Sequence, residues 1–234
     1  MHRPSTAGVE ARAIVIGDLQ EISLDAAALI ALANGFLDAF TFVGHGRVFA
    51  NAQSGNVILF GVGLARPDLA APLGHLWPVL AFILGILVAR VLRERATSGP
   101  WRDPRVVVLT LQTLVLVVIA LLPTGAPQWT ITASIGFASA LQLSSFRTVH
   151  FSTFVPIAMT GNLMRITEAL ADAWEGVAKS QAVVALYAAL IVTFVAGAAL
   201  GALATTHLHS AAAWIPAGLF LLSAALLLGR RAGT

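Results

Sequence analysis

Long apolar stretches separated by short polar loops run through almost the whole chain. Six of them lie near residues 24–43, 74–92, 105–123, 129–147, 181–203 and 211–229. Each is about the length that an α-helix needs to cross the ~30 Å hydrocarbon core of a bilayer. Because the apolar runs are too continuous for the alternating pattern of barrel strands, the sequence predicts an all-α, polytopic membrane helix bundle with about six transmembrane helices.

Two weaker apolar segments, 47–65 and 154–172, are each interrupted near the middle by a polar, turn-like triplet. The first triplet is Ser54-Gly55-Asn56 and the second triplet is Thr160-Gly161-Asn162. We predict that each is a broken or re-entrant segment. In the first, the arms 47–53 and 57–65 would be half-helices long enough to approach the membrane midplane.

The order of apolar segments repeats along the chain. Gly55 and Gly161 lie 106 residues apart, and the starts of the flanking apolar stretches repeat at nearly the same spacing. This register indicates a tandem duplication. We predict a three-span repeat over 24–123 and a second over 124–234, after an N-terminal segment 1–23.

The distribution of Lys and Arg favours six crossings over eight. With six crossings and a cytoplasmic N-terminus, every Lys and Arg except Arg47 and Arg66 falls on the cytoplasmic side, as the positive-inside rule requires. Eight crossings would largely remove this bias. Since each repeat has three spans, the second would be inverted relative to the first, both termini would be cytoplasmic, and the two triplets could meet near the midplane.

Composition narrows the range of functions. Hydrophobic residues make up 58% of the chain and charged residues 11%, and there is no cysteine, which excludes disulfides and thiol chemistry. The arginines lie beside apolar stretches and not in a nucleic-acid-binding stripe, so no nucleic-acid partner is expected. Without a hydrolase elbow, a phosphate-binding loop or a dinucleotide fingerprint, the sequence predicts no enzyme, no metal site and no cofactor.

Asp38 is the strongest candidate functional residue. It lies inside the first apolar stretch, where an ionised carboxylate is costly unless it faces a partner or water. The alternative is that Asp38 sits near the outer headgroups and pairs with His45 or Arg47. If the first weaker segment folds back from the outer side, the first triplet would join Asn34 and Asp38 in a polar cluster.

The two triplets are candidates for a binding site or a solute pathway. Each offers a hydroxyl, a glycine that permits tight turning, and an amide that both donates and accepts hydrogen bonds. At the start of a half-helix, free backbone N–H groups would also point at a ligand. The alternative is an ordinary helix cap followed by a turn.

Three further polar residues have structural alternatives. Arg147 and Arg165 could attract an anion to the cytoplasmic mouth. Alternatively, Arg147 anchors its helix at the headgroups, and Arg165 shares the polar face of an interfacial helix with Glu168 and Asp172. Gln142 is a further candidate for the pathway, although an amide within a span commonly serves as a hydrogen bond between helices.

Two regions carry a resemblance to a known family. The stretch GFLDAFTFVGHGRVFANAQSGNVILFGVGLA, residues 35–65, resembles the opening signature of the YoaK-type family of bacterial integral membrane proteins of unknown function. The stretches ALQLSSFR and AMTGN, within 140–162, are similar to that family's second motif. The resemblance implies a bacterial inner-membrane protein of about six spans and supplies no agreed substrate.

These features predict a small transporter or channel for an unidentified small polar or ionic solute, with the lipid bilayer as its other partner. The alternative is a non-transporting membrane scaffold or accessory subunit, in which the triplets are turns between interfacial helices. Pathway residues would place Asn56 and Asn162 near the midplane, and scaffold turns would place them at the surface. Because three spans per repeat offer little protein to enclose a full pathway, a homo-oligomer is a further alternative.

Overall fold

The computed structural model describes residues 23–65, 70–95, 103–123, 125–146, 148–149, 152–153 and 159–232. Eight α-helices dominate this part of the chain. They are α1 (Leu24–Gly44), α2 (Gln53–Leu64), α3 (Ala70–Arg95), α4 (Pro104–Leu121), α5 (Gln128–Ser145), α6 (Met159–Trp174), α7 (Ser180–Leu208) and α8 (Trp214–Ala232). A two-residue antiparallel ladder, β1 (Thr148–Val149) with β2 (Ser152–Thr153), lies between α5 and α6, and a 3-10 helix (His209–Ala213) joins α7 to α8.

All six predicted apolar stretches form helices, namely α1, α3, α4, α5, α7 and α8. Among the described residues, four segments are long and apolar enough to cross a membrane: Leu24–Gly44, Pro72–Leu92, Pro104–Leu121 and Ser180–Gly229, the last of which contains both α7 and α8. Helix α5 is more polar, since it carries two Gln and six Ser or Thr residues. The fold is therefore a helical membrane bundle, as predicted.

Two long helices begin at caps that the sequence encodes. The Ser23 hydroxyl accepts a hydrogen bond from the Ala26 N–H at 3.3 Å and starts α1. The Asp103 carboxylate accepts from the Arg105 N–H at 2.9 Å and starts α4, with Pro104 in the first helical position. Both patterns satisfy backbone donors that have no partner within the helix.

Helix α1 lies at the centre of the bundle. In its apolar window 67% of the residues are buried, against 17% for α3. Its main partner is α7: Gly197 lies against the Leu32 backbone and Gly201 against the Phe36 backbone, and Gly35 makes the reciprocal contact on α7. Because higher residue numbers on one helix meet higher numbers on the other, the two helices run parallel, and their glycines permit the close approach.

The helix pairings of one predicted repeat recur in the other. Helix α3 packs on α5 as α7 packs on α1, with Gly85 against the Phe137 backbone and Gly136 against the Pro78 backbone. Helix α2 contacts α3 as α6 contacts α7, and α1 contacts α8 as α5 contacts α4. Helices α4 and α8 pack on each other. Each pairing therefore has a counterpart when the two repeats are exchanged.

The prediction of a helical arm over 47–53 is wrong. Residues 45–52, here called the α1–α2 loop, are not helical, and the first triplet lies in the first turn of α2. The second triplet likewise lies in the first turn of α6, while residues 154–158 are outside the described part. With 12 residues, α2 is about 18 Å long. It is too short to cross a ~30 Å core alone.

Candidate functional site

Polar side chains of α1 hold the α1–α2 loop in place. The Asp38 carboxylate accepts a hydrogen bond from the Asn51 N–H at 2.9 Å, and the Ala52 backbone also bonds to it. The Thr41 hydroxyl accepts from the Ala50 N–H at 3.2 Å. Backbone donors that would otherwise need helical partners are thus satisfied by side chains, which explains why this segment is not the half-helix that the sequence suggested.

Asn51 links the two predicted repeats. Its side-chain N–H donates to the Asn34 backbone carbonyl at 3.0 Å, and its side-chain oxygen accepts from the Ser139 hydroxyl of α5. All three residues are buried. The Asn34 side chain itself turns back to the Ile30 carbonyl at 2.9 Å. Asn34 therefore contributes its backbone to this cluster, and Asn51, which the sequence analysis did not single out, holds the central position.

Asn56 of the first triplet binds its own loop. Its side-chain oxygen accepts from the Phe49 N–H at 3.0 Å, and its side-chain N–H donates to the Phe49 carbonyl and to the Gln53 side chain. Asn56 is fully buried by these contacts. This geometry favours a structural role, because the amide fixes the loop against the start of α2, although the N-cap itself is Ala52 and has no side-chain cap bond.

The predicted cluster of Asn34, Asp38 and the first triplet forms only in part. Ser54 and Asp38 face a common cavity, whereas Asn56 points into its loop. The alternative pairing of Asp38 with Arg47 or His45 does not occur among the described residues. Asp38 is instead buried, with 8% of the whole residue exposed, and its carboxylate is bound to backbone donors.

A cavity of about 780 Å³ lies between the two predicted repeats. Its polar wall includes Asp38, Asn51 and Ser54 from the first repeat and Thr160 from the second. Most of the remaining wall is apolar, and it includes Phe42, Phe49, Phe82 and Phe194. The leading residues of the two triplets therefore line the same cavity, while their glycines and asparagines do not.

The second triplet has a more open environment than the first. Thr160 is exposed, and a side chain at Gly161 would meet no atom within 4 Å. Asn162 is buried, with its side-chain N–H 3.8 Å from the Met159 sulfur. Both triplet asparagines occupy the fourth position of their helices, so their placement is equivalent in the two repeats.

Arg165, one of the two arginine candidates, is not among the described residues of the cavity wall. Arg165 forms an exposed ion pair with Glu168 at 3.3 Å on α6, and Asp172 is also exposed. This spacing and exposure favour the interfacial-helix alternative for Arg165. Arg147 lies outside the described residues.

Gln142 is fully buried, and neither polar atom of its side chain has a hydrogen-bond partner in the described part of the protein. The predicted hydrogen bond between helices is therefore absent there. An unsatisfied buried amide costs about 1–3 kcal/mol per polar group. Gln142 does not line the cavity, although it lies one turn beyond Ser139, which bonds to Asn51.

His45 begins the α1–α2 loop and packs against Phe40, with ring centroids 4.5 Å apart. Burial lowers the pKa of His45 to about 4, because the imidazolium form would lose its hydration. The ring is consequently neutral at neutral pH. It supplies no positive charge to balance Asp38.

The packing also indicates a second correspondence between the two predicted repeats, at a spacing that differs from that of the triplets. Gly35 and Gly136 occupy equivalent positions in their helix pairs, and each is followed by Phe. In this register Asp38 corresponds to Ser139, and Thr41 to Gln142. The sequence signal for this correspondence was a Gly-Phe dipeptide with polar residues three and six positions after the glycine. In the structure, Asp38 and Ser139, one from each predicted repeat, both bond to Asn51.

Comparison with known proteins identifies the family. Residues 26–226 match a family described as "Protein of unknown function (DUF1275)". The chain belongs to this family. A curated relative is "UPF0700 transmembrane protein YoaK" of Bacillus subtilis (strain 168), 20% identical over 195 residues that cover 81% of this chain and 87% of YoaK. No solved structure matches. The predicted YoaK-type membership is confirmed, and with the apolar helices it identifies a multi-pass membrane protein.

Proposed function

We propose that this protein is a small transporter or channel whose solute binds in the cavity between the repeats. The observation that carries the proposal is the cavity wall, which combines Asp38 with Ser54 and Thr160, the leading residues of the two triplets. Its volume of about 780 Å³ lies within the ~300–1,000 Å³ range of small-molecule sites. A carboxylate within a membrane helix is a functional candidate by default.

The proposed mechanism is alternating access by an inverted repeat. The exchange symmetry of the helix pairings supports a duplicated architecture, and three spans per repeat would place α2 and α6 on opposite sides of the membrane. Rocking of one repeat against the other would then open the cavity to each side in turn. The distribution of Lys and Arg supports a bacterial inner-membrane location with both termini in the cytoplasm.

A non-transporting scaffold is the second candidate, and one observation favours it. The hydrogen bonds of Asn56 and Asp38 go to the backbone of the α1–α2 loop, as expected of residues that only build a fold. Neither candidate requires catalysis, and we propose that the protein is not an enzyme.

The absence of cysteine from the chain makes thiol accessibility a direct test. Ser54→Cys and Thr160→Cys would each be treated, in membranes, with a membrane-impermeant methanethiosulfonate added from one side at a time. The thiolate attacks the sulfenyl sulfur of the reagent and releases methanesulfinate, and the thiolate forms only where water reaches the thiol. Val192→Cys, on an exposed apolar face of α7, is the matched control because it should face lipid.

A pathway predicts that both cavity cysteines react, and that each reacts from either side as the protein alternates, while Val192→Cys does not. If both cavity cysteines are as inert as the control, or if each reacts from one fixed side, alternating access is wrong. Uniform inertness would favour the scaffold. Flux assays in liposomes with a panel of small anions and cations would then identify a solute class for a reactive pathway.

A further inference from the structure

The described part of the cavity wall holds a carboxyl group and no basic side chain to balance it. Asp38 is the carboxylate in the wall, and no Lys, Arg or His is present among the described lining residues. Within the same part of the chain Asp38 has no ion-pair partner. Its hydrogen bonds come from the Asn51 and Ala52 backbone, whose N–H groups carry no net charge. The site should therefore prefer a cation, because an ionised carboxylate in apolar surroundings is costly until paired.

Aromatic rings make up much of the rest of the wall. Phe42, Phe49, Phe82 and Phe194 reach the cavity from four different elements. Phe42 and Phe49 stack with centroids 4.8 Å apart and planes inclined by 22°. Phenyl faces attract a cation through the ring quadrupole, by about 0.5–2 kcal/mol each when water is excluded.

The size and chemistry of the cavity distinguish an organic cation from a metal ion. Its volume of about 780 Å³ is many times the ~30 Å³ share of one water molecule. Hard metal ions need several converging oxygen ligands, and the described residues contain no group of three or more His, Cys, Asp or Glu side chains suited to a metal. The wall offers instead one carboxylate, an aromatic surface, and the hydroxyls of Ser54 and Thr160.

We infer that the cavity binds a small organic cation, an amine or quaternary ammonium with apolar substituents, with Asp38 as its counter-ion and the phenylalanine rings around its apolar part. This inference rests on the proposed function and specifies its substrate class. The Asn51 N–H orients the carboxylate, and the two triplet hydroxyls supply hydrogen bonds to a polar substituent.

Binding of three benzyl probes to the protein in lipid nanodiscs tests the charge preference. The probes are benzyltrimethylammonium, benzyl alcohol and benzoate. Their binding is measured by ligand-observed NMR, and the signal from empty nanodiscs is subtracted. We expect that only benzyltrimethylammonium binds to the wild-type protein. Its affinity for Asp38→Asn should be about tenfold lower. Asparagine at this position keeps an acceptor for the Asn51 N–H. We expect a loss of about threefold for Phe82→Leu, and no change for Glu168→Gln or Phe137→Leu, which lie outside the cavity wall.

A second experiment keeps Asp38 unchanged, so the inference can be tested even if Asp38→Asn does not fold. Ser54→Cys would be modified by a trimethylammonium-bearing and by a sulfonate-bearing methanethiosulfonate. The ratio of the cationic reagent's rate to the anionic reagent's rate should be at least tenfold higher at Ser54→Cys than at Ala171→Cys, an exposed position on α6. Equal relative rates, or equal binding of benzoate and the cation, would overturn the inference. If Ser54→Cys reacts from both sides without charge preference, the pathway stands and only the cation class fails.

Discussion

A close backbone contact between α1 and α7 yields a prediction with a defined sign. Gly197 of α7 lies on the Leu32 backbone of α1, and a methyl group added there would overlap the Leu32 carbonyl oxygen. The obstacle is a main-chain atom and not the end of a flexible side chain, so α1 and α7 must separate to admit it. Gly197→Ala should therefore destabilise the protein.

The magnitude follows from two opposing effects. Replacing Gly by Ala within a helix is ordinarily favourable by about 1 kcal/mol, whereas forcing a methyl into a packed contact costs about 1–3 kcal/mol. Because the overlap at Gly197 involves the Leu32 backbone, we expect the upper part of that range and a net loss of about 1–2 kcal/mol. Gly218 of α8 is the matched control, since an added methyl there meets nothing within 4 Å.

Equilibrium unfolding in mixed detergent, followed by the fluorescence of the five tryptophans, would measure both variants. Gly218→Ala should be neutral or stabilising by up to about 1 kcal/mol. The two variants should thus change the free energy of unfolding in opposite directions. A Gly197→Ala protein as stable as the wild type, or more so, would show that α1 and α7 do not pack backbone to backbone.

Two further predictions concern the loop and the topology. Asn56→Leu should lower the free energy of unfolding by about 2–4 kcal/mol, because it leaves the Phe49 N–H and C=O unpaired. The exposed Ser54→Ala should change it by less than about 0.5 kcal/mol, and equal effects of the two substitutions in the same unfolding assay would show that Asn56 does not hold the loop. Reporter fusions at Arg95 and Thr234 should both report the cytoplasm, and fusions reporting opposite sides would remove both the six-span topology and the inverted repeat.

The long helices were predictable because hydrophobicity alone specifies them. Each predicted apolar stretch begins and ends within a few residues of a helix, as for 105–123 and α4 (Pro104–Leu121). A span needs only enough apolar residues to cross the hydrocarbon core and internal backbone bonds that any helix supplies. The packing role of Gly197 and Gly201 was likewise predictable from their spacing, because small residues four apart share one helix face.

The α1–α2 loop was not predictable for a physical reason. Its conformation is set by side chains distant in sequence, since Asp38 bonds to the Asn51 N–H thirteen positions later and Ser139 of α5 bonds to the Asn51 side chain. Local propensity contains no information about such partners. The segment was predicted to be a half-helix because it belongs to a weakly apolar stretch, 47–65, yet several of its backbone donors are satisfied by side chains of α1.

The same bonds show how one carboxylate would serve both folding and the proposed solute binding. Asp38 has two oxygens with several acceptor sites, and its bond to the Asn51 N–H fixes the loop that carries Phe49 and Asn51 into the cavity wall. A cation that pairs with Asp38 would therefore act on the loop as well as on the charge. If the loop must move for the cavity to open to the other side, the solute's own charge would be coupled to that movement through Asp38, without a separate gate.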